Sequence, residues 1–176
     1  MYRRILIPTD GSTLSEVVAA AAVEFAHDAG AAVVGLAVAP LFRRPLIAAA
    51  IDDQSRNESD HLVKINRTLD RHLAVIEQYA KAASVPFEGH KTLSDEPAAD
   101  IVDAAMASKC DLIFMGSHHR RGLARLVHAS VTAKVLELSL LPVTIHRVTL
   151  EALVSHANQL DRVDPATAFG SPARTA

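Results

Sequence analysis

Apolar residues fall along this chain in two distinct patterns. One is the short continuous run: Ile5-Leu6-Ile7, Ala32 to Ala39, and Asp111 to Met115, closed in turn by Pro8, Pro40 and Gly116-Ser117. Continuity without alternation predicts strands covered on both faces, as in a parallel sheet. The other pattern recurs every three or four residues. Leu62, Ile65, Leu69, Leu73, Ile76 and Tyr79 share one face of a long predicted helix over about 58–83, ended at Pro86. Between the first two strands, Ser12 and Thr13 supply helix caps, Glu16 follows Thr13 as in a capping box, and an Ala-rich helix runs to Gly30. Val85 to Thr92 predicts a more polar edge strand, and Ser94 to Pro97 opens a helix with Ala98, Ile101, Val102 and Ala105 on one face.

Gly116-Ser117 predicts a sharp turn. Ser130 then caps a last helix marked by Val131, Val135 and Leu138, and Pro142 to Val148 forms the fifth strand. Strand and helix alternate, so the predicted class is α/β: a doubly wound, five-stranded parallel sheet with helices on both faces and right-handed crossovers. Leu41 to Asp53 is irregular and reads as a mobile connection or lid. A domain over 1–148 is followed by a C-terminal tail, 149–176, whose Pro165, Gly170 and Pro172 among small polar residues read as mobile.

Composition narrows the function classes. The 176 residues suit one domain plus a tail, and 49% apolar with 22% charged residues supports a buried core. With aromatics at 4% and no Trp, Ala, Val and Leu must build that core. Eighteen Lys and Arg against twenty Asp and Glu give a net charge of -2, which argues against a nucleic-acid coat or a polybasic membrane anchor. No run approaches the ~18 apolar residues of a membrane span. Neither a nucleic acid nor a membrane is expected as a partner. Cys110 is the single cysteine, and the apolar run after Met1-Tyr2-Arg3-Arg4 is too short for a signal peptide, so a cytoplasmic location is expected.

In a doubly wound sheet, ligands bind beyond the carboxyl ends of the strands where the winding reverses. Two turns stand out for this role. In Pro8-Thr9-Asp10-Gly11-Ser12, Asp10 directly follows a buried strand; its carboxylate can accept from ribose hydroxyls or an adenine amine, or serve as a helix-start anion. Between Leu112 and Leu136 there is no Asp or Glu, whereas Arg120, Arg121, Arg125 and Lys134 lie beside His118, His119 and His128. That one-sided charge suits phosphate, or it is a solvated basic loop. The first amides of a helix opened by Ser130, near Val131 and Thr132, would add backbone donors.

Sharper motifs fail on spacing. Gly116 to Gly122 lacks the Gly-Lys-Ser/Thr ending of a P-loop, and the first strand lacks Gly-x-Gly-x-x-Gly. Adjacent His118 and His119 diverge, and His61 and His72 stand ~16 Å apart along a helix, so no protein-bound metal is expected. There is no Gly-x-Ser-x-Gly elbow and no paired base near Cys110, so no catalytic residue is assigned.

With Ile-Leu-Ile-Pro-Thr-Asp-Gly-Ser at 5–12, Asp-Leu-Ile-Phe-Met-Gly-Ser-His at 111–118, Ala129-Ser130-Val131-Thr132 and Leu141-Pro142-Val143, residues 2–148 resemble the universal stress protein family. The resemblance implies strand order 3-2-1-4-5, with strands one and four flanking the crevice. It implies a homodimer through the last strand, at Val143 and Ile145, and an adenine nucleotide, ATP with Mg, as ligand. Pro8, Thr9 and Asp10 would then meet the adenosine part, Val38 would present backbone to adenine, and Met115 would line the pocket. Gly116, Ser117, His118, His119, Arg120, Ser130, Val131 and Thr132 would surround the phosphates.

The nucleotide-binding branch carries Gly-x-x-Gly, nine residues, then Gly-Ser/Thr. Gly116 and Ser130 match this pattern, while His119 and Ala129 replace its other two glycines. If either position requires positive φ, the replacement costs about 1 to 2 kcal/mol. Three readings stand: a dimeric stress-response protein regulated by nucleotide occupancy; a slow ATP hydrolase using Asp10 or His118 to position water; and a dimeric interaction protein that has lost nucleotide. For Val38 and Met115 the alternative to ligand contact is plain core packing.

Overall fold

The computed structural model describes residues 1–41, 54–118 and 125–160, with the backbone alone at 54–59, 118, 125–130, 157, 159 and 160. In chain order the elements are β1 (Arg4–Thr9), α1 (Thr13–Ala29), β2 (Ala32–Ala39), α2 (Gln54–Ala82), β3 (Phe87–Leu93), α3 (Pro97–Ala107), β4 (Leu112–His118), α4 (Arg125–Leu138), β5 (Val143–Val148) and α5 (Leu150–Leu160). The five strands form one parallel sheet in the order β3-β2-β1-β4-β5, as the sequence predicts.

Both faces of the sheet are packed, which accounts for the continuous apolar runs. Successive side chains point to opposite faces. Ile5, Ile7, Val33 and Phe114 meet Val18, Ala22, Ile76 and Ala80 from α1 and α2; Leu6, Val34, Leu36, Ile113 and Met115 meet Ile101, Ala105 and Val135 from α3 and α4. Ile5, Leu6 and Ile7 are wholly inaccessible to solvent. Small residues on the inner face of α1, Ala19, Ala22 and Ala26, let that helix approach the sheet closely.

Local chemistry sets the helix ends. The Ser12 hydroxyl accepts from the Ser15 amide at 3.2 Å and caps α1, while Gly30 closes the helix in the left-handed region at φ 64°. The cap is therefore Ser12 rather than the predicted Thr13–Glu16 box. The Glu16 amide donates instead to the Ser12 carbonyl at 3.0 Å. Pro97 opens α3, where its missing N–H costs nothing.

Three features depart from the sequence reading. Gly116 and Ser117 do not turn: β4 continues through them to His118, with Gly116 opposite His146 and Ser117 opposite Arg147. The glycine answers a packing need, since a Cβ there would stand 2.6 Å from Val18 Cγ2 on α1. Second, α4 starts at Arg125, so Ser130 lies within it rather than at its cap. Third, order does not end at 148. Thr149 caps α5, accepting from the Ala152 amide at 3.3 Å, and Leu153 packs on the core beside α1. The predicted lid beyond Leu41 (42–53), and the rest of the tail (161–176), lie outside the described residues.

Candidate functional site

The central seam of the sheet is paired only at its amino end. β1 pairs with β2 along its full length, Arg4 through Thr9, and β4 pairs with β5 from Ile113 to His118. Between β1 and β4, register pairs occur only at Ile5 with Leu112 and Leu6 with Ile113. Beyond these the β1–β4 pairing stops, and the carboxyl ends of the strands carry Pro8, Thr9 and Asp10 on one side of the seam and Met115, Gly116 and Ser117 on the other. This is the place where winding reverses in a doubly wound sheet.

The first lip is built around Asp10. Its Oδ1 accepts from the Ser12 amide at 3.0 Å and from the Ser15 hydroxyl, which ties the carboxylate to the start of α1. An anion here also faces the positive end of the helix dipole. Thr9 is buried, and its Oγ1 accepts from the Gly11 amide at 3.1 Å. Gly11 sits at φ 72°, and a Cβ on it would lie 2.1 Å from His72 Nε2.

That contact brings α2 into the site, which the sequence reading did not anticipate. His72 rests its ring on the turn carrying Asp10, and its Nδ1 is buried without a hydrogen-bond partner among the described residues. A glycine directly after Asp10 is the only local hint, because the partner lies on a distant helix.

On the second lip, Met115 is buried in the layer that also holds Val38 and Val131. Strand alternation turns Pro8 and Ser117 toward the same layer. The fold thus gathers Pro8, Val38, Met115, Ser117 and Val131 on the α3–α4 side of the cleft. Gly116 faces the other way, toward Leu14 and Val18. The backbone of His118 ends β4 opposite Val148. Ser130, Val131 and Thr132 occupy the second turn of α4, so their amides are not the unpaired first amides that the sequence reading placed there. His119 and Arg120 lie outside the described residues.

The perturbed acids lie at the opposite end of the strands. Asp111 accepts from the Arg3 amide at 2.9 and 3.1 Å and from the Arg4 amide at 2.9 Å. Burial alone would raise its pKa, but these amide bonds outweigh it and hold the carboxyl below the ordinary range. The Arg4 guanidinium pairs with Glu88 and lowers the Glu88 pKa. Around that pair is a cavity of about 660 Å³, walled by Arg4, Glu88, His90, Asp100, Asp103 and Lys109; none of the predicted site residues lines it. Nearby, burial pushes the Cys110 thiol up to about 11, which makes it a core residue rather than a nucleophile. Among the described residues no His, Cys, Asp or Glu cluster has the geometry of a metal site, and no helix is long and apolar enough to cross a membrane.

Comparison with known proteins agrees with this architecture. The model of the universal stress protein family matches residues 1–147. A universal stress protein of Methanocaldococcus jannaschii is 28% identical over 145 residues, covering 82% of each chain. A crystal structure of a universal stress protein in complex with cAMP superposes with a TM-score of 0.63 at 21% identity, over 84% of this chain and 98% of that one. A universal stress protein from Archaeoglobus fulgidus in complex with dAMP superposes with a TM-score of 0.53 at 23% identity, over 82% of this chain and 97% of that one.

Proposed function

Starting from the fact that this chain belongs to the universal stress protein family, we propose that it is a cytoplasmic, dimeric stress-response protein that holds an adenine nucleotide in the cleft between β1 and β4. The ligand class includes ATP with Mg, and occupancy rather than turnover is the signal. One observation carries this reading: the pairing of β1 with β4 stops after Leu6 and Ile113 while each stays paired to its outer neighbour. The structures of similar proteins with cAMP and dAMP support the adenine nucleotide as ligand class.

The residues have distinct roles in this reading. Asp10 on its turn, with Pro8 and Thr9 behind it, meets the ribose, and the Val38 backbone meets adenine. Met115 forms the apolar floor. Gly116, Ser117 and His118 lead toward the phosphates, which His119, Arg120, Ser130, Val131 and Thr132 enclose from the chain that follows. Two copies pair through β5, with Val143 and Ile145 at the contact.

A second reading, an interaction protein without nucleotide, is favoured by one feature: Asp10 already accepts from Ser12 and Ser15. Thermal denaturation with millimolar ATP, AMP and cAMP, with and without Mg, separates the two. At a nucleotide concentration one hundred times Kd, binding adds about 2.7 kcal/mol of stability. A midpoint that none of the three nucleotides moves rejects the first reading in favour of the second.

A further inference from the structure

The cavity of about 660 Å³ on the α3 side of the sheet has the size of a small-molecule site, and the nucleotide reading does not use it. Two stripes of side chains wall it. Glu88, His90 and Thr92 alternate along the edge strand β3 and so share one face. Asp100, Asp103, Ala104 and Ala107 stand three and four residues apart on α3, which puts them on one side of that helix. Leu36 of β2 adds an apolar wall, and Arg4 of β1 enters at the amino end of the strands, where it pairs with Glu88.

The charges of this cavity are sorted along its length. α3 returns the chain between two parallel strands and so runs antiparallel to them. Arg4, Glu88 and Lys109 therefore lie at the amino end of the sheet and Thr92 and Asp100 at the carboxyl end, with Asp103 one helical turn further in. From Asp100 to Ala107 the helix advances about 10 Å. At the acidic end, Asp100 Oδ2 is buried with no hydrogen-bond partner, and Asp103 has no ion-pair partner among the described residues. At the basic end, Arg4 Nε is likewise buried and unpartnered, and the Lys109 ammonium pairs with no described residue. Lys109 also sits at φ 55°, a left-handed position after α3 that favours glycine. Lys91 is accounted for elsewhere, on Asp70 of α2 at 2.7 Å.

We propose that this cavity binds a basic amino acid. The side-chain guanidinium or ammonium lies at Asp100 and Asp103, the α-carboxylate at Lys109 and Arg4, and the α-ammonium at Glu88. Length agrees with this arrangement. Extended arginine has six bonds of ~1.5 Å between its carboxylate and guanidinium carbons, a span of about 8 Å, and a hydrogen bond of ~2.9 Å at each end completes the reach. Charge agrees as well. Arg4 and Lys109 supply two positive charges against three negative ones from Glu88, Asp100 and Asp103, and a basic amino acid carries the single positive charge that balances them. Its methylene stem has Leu36, Ala104 and Ala107 to lie against.

Ligands with one kind of charge fit less well. A dicarboxylate would place an anion against Asp100 and Asp103, and a diamine would place a cation against Lys109. The two ends also differ in strength. A charge-assisted hydrogen bond to the buried Asp100 Oδ2 is the strong contact, whereas the exposed Lys109 contributes as a surface charge does. None of the residues assigned to the nucleotide lines this cavity, so the proposal stands apart from that reading.

Titration of the isotope-labelled full chain with L-arginine, followed by its amide chemical shifts, tests the site. Saturable shifts are expected along 88–92 and 100–109, with 9–12 and 115–118 unmoved. Asp100→Asn is expected to weaken arginine about tenfold and Lys109→Ala about threefold. Agmatine, which is arginine without its carboxylate, is expected to bind the wild type more weakly than arginine does and to be indifferent to Lys109→Ala. The absence of saturable shifts in those two segments at millimolar arginine overturns the proposal. So does an arginine affinity that Asp100→Asn leaves unchanged while the spectrum of the variant keeps the wild-type fold. Agmatine binding as tightly as arginine overturns the amino acid in favour of a simple amine. ATP added to the same samples reads the β1–β4 seam separately, at 9–12 and 115–118, so failure at one site is distinguishable from failure at the other.

Discussion

Gly11 and Gly116 sit on opposite lips of the cleft and are required for different reasons. Gly11 combines a left-handed φ of 72° with the His72 ring against its Cα. Gly11→Ala is expected to lose about 2 to 3 kcal/mol, of which the backbone part, about 1 to 2 kcal/mol, persists in a His72→Ala background. Gly116 has no positive φ, so the cost of Gly116→Ala is steric, from Val18 Cγ2 at 2.6 Å. A loss of about 1 to 3 kcal/mol is expected, mostly recovered by Val18→Ala. Urea unfolding of the single and double variants measures both couplings; additive losses would reject the contacts. Asp111 gives a pH effect of definite sign. Its folded-state pKa lies below its unfolded value of about 3.9, so its contribution is present above that value and lost as pH falls through the folded one. Asp111→Asn is expected to flatten the fall of stability below about pH 4 while leaving its slope near neutrality unchanged, as read from urea midpoints across that range.

At the level of elements, the strands were the most legible part of the sequence. Ala32–Ala39 is a strand over its full predicted length, because burial on both faces demands an unbroken apolar run and little else in this chain looks like one. Glycine and serine were less legible. Gly116 reads as a turn until Val18 is seen beside it, and Ser130 reads as a cap although the helix begins at Arg125. The meaning of each residue depends on neighbours that local pattern does not contain, as does the position of His72 over Gly11. The helix at Leu150–Leu160 follows from Leu150, Leu153 and Val154 at helical spacing, a short signal beside the prolines and glycine near 170. α5 also carries its own expected outcome. Ending the chain at Thr149 removes Leu153 from the core beside α1 and His156 from Glu16. A loss of about 1 to 3 kcal/mol is expected, seen as a lower calorimetric midpoint. An unmoved midpoint would show that α5 contributes nothing to the domain.

Across the whole molecule, two blocks meet at a seam that is stitched at one end only. β3, β2 and β1 form one block and β4 and β5 the other; Ile5–Leu112, Leu6–Ile113 and the Asp111 carboxylate on the Arg3 and Arg4 amides join them at the amino end. At the carboxyl end the seam is unpaired, so a ligand in the cleft completes the connection between the blocks. Such a ligand slows local opening on both sides at once, because each lip must move for the cleft to widen. Amide hydrogen exchange with saturating ATP is therefore expected to slow together at 9–12 and at 115–118, with β3 on the far edge unchanged. Pro8 has no amide to report, so the first lip is read from Thr9 onward. Protection on one lip alone would mean a ligand lying on a single block, and the early end of the β1–β4 pairing would then be a property of the twist of the sheet rather than of a binding site.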